Sequence, residues 1–327
     1  MVTQRSSVIV VTYNSKEFII NCIDSILKES PLEVIVVDND SQDQTKTLVA
    51  DKFPQVSLIA NKDNQGYGRA CNIGAQNAKG EIVVFMNPDT QGTPGWLDNL
   101  LKPLELADKS IVTPAIKSKK GGEIILGNLE HLMGFGFTNS LNPGNLKEFR
   151  APSGFSGCCF ALLTDDWKKL GGFDEAFFLY MEDVELSWRA FAKGFRIVGC
   201  SESLIIHDYD YRIDPNKVFL LEKGRYIIIK KYYTKSTLIR LLPSFLISEI
   251  LAWGFGAALG REGVRSKLLA TLEGIKWNGK KDVVDQFPLI MSRESKIPEF
   301  TSGQRIDEIA RKLANIIYEA NLKVLIK

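Results

Sequence analysis

Apolar and polar positions alternate along the first ninety residues in a regular way. Val8–Val11 is a β-branched run, followed by polar "TYNS" and a segment with Phe18, Ile19, Cys22, Ile23 and Ile26 on one helical face. Pro31 breaks the chain before a second apolar run, Glu33–Asp40, that ends in acids. Asp43–Lys52 reads as a helix and Val56–Ala60 as a third strand. The stretch "NQGYGRACNIGAQNAKG" opens as a turn and becomes helical, and "EIVVFMNPD" is a fourth strand. Strands alternating with helices at this spacing predict a parallel sheet covered by helices on both faces. In such sheets ligands bind beyond the carboxyl ends of the strands. Three polar clusters, Thr12–Asn14, Asp38–Asp40 and Asn87–Asp89, fall at those ends.

Beyond a helix at Trp96–Leu106 the pattern loosens. The glycine-rich stretch 117–150 reads as loops and short strands, and Phe155–Leu163 as another strand. A helix starts near Glu182, with Val184, Trp188 and Phe191 on its buried face and Glu182 and Asp183 in its first turn. The helix dipole favours negative charge there. A short strand is predicted at Arg196–Gly199, with His207 beyond it. Leu238–Gly260 is the most apolar window, interrupted by Arg240, Pro243 and Glu249. From Ser302 on, Ile306, Ile309, Leu313 and Ile316 recur at helical spacing and predict a docked amphipathic helix.

The length of 327 residues accommodates one large domain or two, and 45% hydrophobic with 24% charged residues is ordinary for a folded chain. The net charge of +2 is uneven. Lys217–Lys281 holds 13 basic and 4 acidic residues, +9, which leaves −7 elsewhere and points to an acidic-surface partner for that segment alone. No nucleic-acid partner is expected. The five cysteines (Cys22, Cys71, Cys158, Cys159, Cys200) form no CxxC pair, as expected of buried thiols in a reducing compartment. Met1–Ser7 is polar and leads into a strand with no signal-peptide core, so a cytoplasmic catalytic part is expected.

Several chemistries are excluded by what is missing. The turn after the first strand carries no glycine, and "GYGRAC" has Cys71 where a dinucleotide fingerprint needs its third glycine. "GFSGC" puts Cys158 where a nucleophile elbow needs glycine, and no phosphate loop of the GxxxxGK[ST] type occurs. There remain carboxylates at strand and helix ends: Asp38, Asp89, Glu182 and Asp183. Singly each suits a cap or turn. Together at one sheet edge they suit a site for a metal–diphosphate.

The segments "VIVVTYNS", "EVIVVDNDSQDQT", "NKDNQGYGRACNIGAQNAKGEIVVFMNPDT" and "GGFDEAFFLYMEDVELSWRA", with the later His207, resemble in their order the inverting nucleotide-sugar glycosyltransferases of family 2. The resemblance spans roughly residues 7–210 and is nearest to rhamnosyltransferase-type enzymes of surface polysaccharides or lipid-linked glycans. It implies a GT-A fold: α/β, a Rossmann-like, mostly parallel sheet flanked by helices, here with a C-terminal helical extension. Residues 1–216 would be the nucleotide-sugar domain and 217–327 a basic, apolar helical region.

By the same resemblance, Thr12, Tyr13 and Asn14 shape the nucleotide pocket and Asp38 bonds the base. Asn64, Gly66, Arg69 and Asn72 line the nucleotide and ribose side. The family's DxD element falls on Asn87-Pro88-Asp89, whose last acid holds Mg²⁺ or Mn²⁺ on the diphosphate, with His207 completing that site. Asp183 is the general base, with Glu182 orienting the acceptor or the loop. Ser156 and Gly157 border donor sugar and acceptor. The donor is a dTDP-, UDP- or GDP-sugar, dTDP-rhamnose first, and the acceptor a glycan or polyprenyl-linked hydroxyl. For Lys217–Lys281 two readings stand: a helical subdomain packed on the catalytic core, or, the favoured one, an interfacial, re-entrant or loosely inserted segment at the cytoplasmic membrane face. A catalytically silent nucleotide-sugar-binding scaffold is the rival reading, kept alive by Asn87 and opposed by Asp89, Glu182, Asp183 and Arg189. A nucleotidyltransferase would need a glycine-rich basic loop that "TYNSKEF" does not supply.

Overall fold

The computed structural model describes residues 2–120, 122–141, 151–209, 212–282, 290, 293–298 and 305–326. The chain divides into two units, Met1–Asn128 with Thr138–Asp210, and Leu129–Phe137 with Tyr211–Lys327. The expected boundary at 216/217 therefore falls inside the second unit, where a helix has already begun at Pro215.

The first unit is built on β1 (Ser6–Thr12), α1 (Ile19–Leu27), β2 (Glu33–Asp38), α2 (Thr45–Lys52), β3 (Ser57–Ala60), α3 (Tyr67–Gln76) and β4 (Ile82–Met86). These strands pair in parallel in the order β3-β2-β1-β4. Every residue of β1 and β4 is buried, because helices cover both faces. Val8, Val10, Val84 and Met86 pack with Ile19, Ile23 and Ile26 of α1. Ile9, Val11, Val83 and Phe85 pack with Ala70, Cys71 and Ala75 of α3 on the opposite face. The order reverses between β1 and β4, which makes that edge the topological switch point where a crevice opens.

After β5 (Thr90–Gly92) and α4 (Trp96–Leu106), the stretch read as loosened holds β6 (Ser110–Ser118), buried at all positions but Lys117. Pro114 disguises it. A proline lacks the N–H of a ladder, and the partner strand carries a register shift between Cys200 and Leu204, just past the residue opposite Pro114. That partner, β10, runs Arg196–His207 and not Arg196–Gly199, so His207 is the strand's last residue and not part of a following loop. β7 (Ile124–Glu130) pairs with β6 and with β8 (Gly136–Leu141). β9 (Cys159–Leu163) runs antiparallel between β4 and β6, followed by α5 (Thr164–Leu170) and α6 (Glu182–Ala192). Part of the stretch expected as loops, residues 142–150, lies outside the described residues.

The second unit contains α7 (Pro215–Tyr232), α8 (Lys235–Arg240), α9 (Leu242–Ala258), α10 (Gly260–Lys276) and α11 (Arg305–Ile326). The apolar window Leu238–Gly260 is thus broken near Leu241. Glu249 turns inward, where its carboxylate meets Arg225, Tyr226 and Lys267, and Glu222 joins the same buried group. Among the described residues no helix is long and apolar enough to cross a membrane. The tail helix forms, but its face is reversed: Ile309, Leu313 and Ile316 are 56–63% exposed, while Ala314, Tyr318 and Asn321 are buried.

Candidate active site

At the carboxyl edge of β1, β2 and β4 a cleft of about 370 Å³ opens. Tyr13 and Asn14 after β1, Asn39 after β2, Asn64 and Gly66 before α3, and Asn87–Asp89 after β4 all line it. The structure therefore brings together Tyr13, Asn14, Asn64, Gly66, Asn87 and Asp89 from three separate loops. Four non-glycine residues near this edge, Asn14, Asp40, Tyr180 and Met181, hold φ between 51° and 70°, a left-handed backbone that concentrates at functional sites.

Asn39 knits the loops. Its Nδ2 donates to Asn64 Oδ1 (2.8 Å) and to the Gly66 carbonyl (3.2 Å), and its Oδ1 accepts from Asn61 Nδ2 (3.0 Å) and the Gln65 amide (3.1 Å). Gly66 has φ +83°, and a Cβ there would stand 2.4 Å from the Phe178 carbonyl oxygen. The Tyr67 amide donates to that same carbonyl (2.8 Å), so the loop leading to α6 docks on the first turn of α3. Gly66→Ala is therefore expected to lower the melting temperature, backbone strain alone costing about 1–3 kcal/mol, and to weaken nucleotide binding measured by calorimetry. Unchanged melting would contradict the packing.

Pro88 ends the β4 extension and fixes the corner that presents Asp89. The Asn87 amide donates to the Cys158 carbonyl (2.8 Å), and Thr90 Oγ1 caps the Asn87 carbonyl (2.6 Å). His207 Nε2 stands 3.2 Å from Asp89 Oδ1, close enough for an ion pair but not aligned as a hydrogen bond. Neither atom, nor Asn87 Oδ1, has a hydrogen-bond partner among the described residues. Burial opposes the charged form of His207, but the Cys158 thiol and the Asp89 carboxylate outweigh it and push its pKa up to about 10. Two orphaned buried ligand atoms, one carboxylate oxygen and one imidazole nitrogen, fit a divalent cation. No group of three or more His, Cys, Asp or Glu side chains suited to a metal exists among the described residues. Such a cation would need diphosphate oxygens or water to complete its shell.

The corner is tied to the acids on α6 through residues 157–158. Tyr67, which lines the cleft, donates its hydroxyl to the Gly157 carbonyl (2.7 Å), and the Gly157 amide donates to Asp183 Oδ2 (3.0 Å). Asn128 Nδ2 donates to the same Oδ2 (3.4 Å) and to the Phe155 carbonyl (2.9 Å), and the Val184 amide donates to Asp183 Oδ1 (2.8 Å). Burial raises the Asp183 carboxyl, while these donors favour its ionised form. Glu182 lacks comparable donors, so burial first and the Asp183 charge second hold its carboxyl well above the carboxylate range. The donors around Asp183 favour its carboxylate, while burial and the neighbouring charge favour the protonated form of Glu182, pushed up to about 8.

That difference affects stability. A carboxyl raised in the folded state holds a proton that the unfolded chain has already released, so its contribution is present at low pH and is lost as pH rises. The melting-temperature advantage of Glu182→Gln over wild type should therefore grow between about pH 5 and about pH 8. A pH-independent difference would contradict the raised Glu182.

Other expected residues lie elsewhere. Thr12 and Asp38 are buried opposite one another at the ends of β1 and β2, and Asp38 accepts from the Ser41 amide (3.1 Å) without lining the cleft. Arg69 is exposed beside Glu175. Asn72 is taken up by a two-way clamp on the Phe173 backbone, 2.9 Å each way. Ser156 faces Thr113, whose hydroxyl accepts from its amide (3.4 Å). Arg189 is buried against Glu185 and the Leu170 carbonyl (2.9 Å). Asn39, Tyr67 and Asn128 escaped sequence reasoning. Asn39 alone had a signal, its place inside the acid cluster that ends β2.

A mostly parallel α/β sheet with its cleft over the β1/β4 switch and acids at the strand and helix ends has the architecture of the GT-A fold, which places a ligand site at that edge. Solved structures agree on the fold. A crystal structure of GalNAc-T7 with UDP, GalNAc and Mn²⁺ superimposes with a TM-score of 0.59 at 17% identity, covering 81% of this chain and 54% of that one. One of Staphylococcus aureus TarS 1–349 with UDP-GlcNAc gives 0.57 at 19% identity, covering 97% and 90%. In sequence, the N-acetylglucosaminyl-diphospho-decaprenol L-rhamnosyltransferase of Mycobacterium tuberculosis is 28% identical over 210 residues, 56% of this chain and 68% of its own. Residues 7–167, just under half of the chain, match the model of glycosyl transferase family 2, and that segment belongs to the family. It is a glycosyltransferase.

Proposed function

We propose that the protein transfers a sugar from a nucleoside diphosphate to a hydroxyl of a glycan or polyprenyl-linked acceptor, with inversion at the anomeric carbon, at the cytoplasmic face of a membrane. The observation that supports this most is the treatment of the two acids at the start of α6. Asp183 is given three hydrogen-bond donors and left half-buried, while Glu182 is buried with one carboxyl oxygen unpartnered. A base must be ionised and within reach of solvent-borne substrate, and the three donors and partial exposure of Asp183 favour both.

In a single displacement the acceptor oxygen forms a bond to the anomeric carbon as the bond to the diphosphate oxygen breaks. Asp183 takes the hydroxyl proton, and the nucleoside diphosphate leaves with the bonding pair. Glu182, protonated, is suited to donate a hydrogen bond that orients the acceptor or the loop. The cleft loops around Tyr13, Asn14, Asn39 and Asn64 would hold the nucleotide. Asp89 and His207 would hold Mg²⁺ or Mn²⁺, which when bound offsets charge on the leaving diphosphate. Likeness to the mycobacterial rhamnosyltransferase favours dTDP-rhamnose as donor, with UDP- and GDP-sugars as the alternatives.

Incubating the protein with labelled dTDP-, UDP- and GDP-sugars, with and without EDTA, tests this. The expected result is release of nucleoside diphosphate from one donor, lost with EDTA. Tight binding of a sugar nucleotide with no turnover under any condition would favour the silent scaffold instead.

A further inference from the structure

Three helices of the second unit are inverted relative to a water-facing helix, in which the apolar stripe turns to the core. In α9 the buried positions are Ser244, Ser248, Ala252 and Gly256, while Leu246, Ile250 and Phe255 are 46–66% exposed. The one charged residue of α9, Glu249, points inward to Arg225 and Lys267. The second helix, α10, buries Gly263, Lys267, Ala270 and Gly274 and leaves Leu268, Leu272 and Ile275 outside at 44–58%. On α11 the exposed positions are Ile309, Leu313 and Ile316.

The contacts between these helices are equally unlike those of a soluble core. A Cβ on Gly263 would lie 2.2 Å from the Gly256 carbonyl oxygen, so α9 and α10 meet through glycines. The α9–α11 contact is made by hydrogen bonds, Ser244 Oγ to Asn321 Oδ1 (2.6 Å) and Ser248 Oγ with Tyr318 Oη (2.9 Å). Small residues and polar side chains inside, with large aliphatic ones outside, is the packing of helices whose surroundings are apolar.

Charge identifies the occupant. Lys217–Lys281 carries a net +9, and Arg261, Arg265, Lys276, Lys280 and Lys281 are all exposed on or just after α10. A second copy docked through the same face would set like charges against each other, whereas anionic headgroups neutralise them while acyl chains take the aliphatic side chains. α9 and α10 have 17 residues each, and none of the described helices is long and apolar enough to cross.

We propose that the outward faces of α9, α10 and α11 form a seat that lies in the headgroup–acyl boundary of an anionic bilayer without spanning it. This deepens the membrane placement proposed above by naming the surface, and it rests on the second unit alone, independent of the sugar chemistry.

Flotation of the purified full chain with vesicles of phosphatidylcholine, and of phosphatidylcholine mixed with phosphatidylglycerol, tests it. The chain is expected to float with the anionic vesicles and to keep a bound fraction in high salt, because apolar contact is not screened. A double variant, Leu246→Glu with Ile250→Glu, should keep its melting temperature, both positions being exposed, and lose more than about tenfold in vesicle affinity. Asp183→Asn should float like wild type, so loss of transfer and loss of seating are read separately. Absence of flotation, complete release by salt, or a dimer in solution that the double variant converts to monomer would each overturn the proposal.

Discussion

Asp183→Asn is expected to lower kcat by about 10²–10⁴-fold while leaving nucleotide affinity and melting temperature near wild type. The amide keeps the shape of the carboxylate, and an oxygen remains to accept from the Gly157 amide, so the loop that borders the cleft stays in place. The variant cannot take the acceptor proton. Glu182→Gln is the informative partner. Glu182 already carries its proton, so an amide reproduces most of what it offers, and its kcat should fall far less. A dead Glu182→Gln beside an active Asp183→Asn would exchange the two roles. Asn128→Ala should act through Asp183: with one donor removed, the acidic limb of the pH–rate profile moves to higher pH.

Asp89→Ala is expected to have the second largest effect, on the order of 10²-fold in kcat/KM, since a Lewis-acid cation supplies several kcal/mol of charge stabilisation. The binding signature is more specific than the rate. Calorimetry of Mn²⁺ into the protein alone should give no detectable heat, because among the described residues no group of three or more His, Cys, Asp or Glu side chains is gathered there to hold a metal. Adding UDP, dTDP or GDP should bring binding into range, and Asp89→Ala should remove it. His207 must lose its proton to bind a cation, and its pKa is raised to about 10, so nucleotide-dependent Mn²⁺ binding should tighten as pH rises above neutrality. Tight metal binding by the nucleotide-free protein would contradict this account of the corner.

The first half of the sheet was legible because its signals are local. Four apolar runs, three of them ending in a polar cluster, became β1 to β4, and Asn87-Pro88-Asp89 lines the cleft as a strand-end corner should. The second half was not, because its strands are interrupted in sequence and continuous in space. Pro114 hides a nine-residue strand, and a bulge after Cys200 splits β10 into two apparent pieces. Periodicity found α11 but assigned its face on the premise that aliphatic residues turn inward, and Ile309, Leu313 and Ile316 turn outward. The acids were legible as types and their division of labour was not. Asp183 and Glu182 are neighbours in sequence, and two of the three donors that favour the Asp183 anion come from Gly157 and Asn128, 26 and 55 residues away. Asn72 shows the converse: a polar residue at the matching place is occupied by the Phe173 backbone.

The proposed reaction is a single displacement at the anomeric carbon of a nucleoside-diphosphate sugar, driven by the carboxylate at the start of α6. The most direct test is the anomeric configuration of the product, read by NMR coupling constants from a reaction with whichever donor releases its nucleotide. The expected product is a glycoside of configuration opposite to that of the donor, formed by wild type and Glu182→Gln and absent with Asp183→Asn. A product that retains the donor's configuration, or one formed at an undiminished rate by Asp183→Asn, would contradict it.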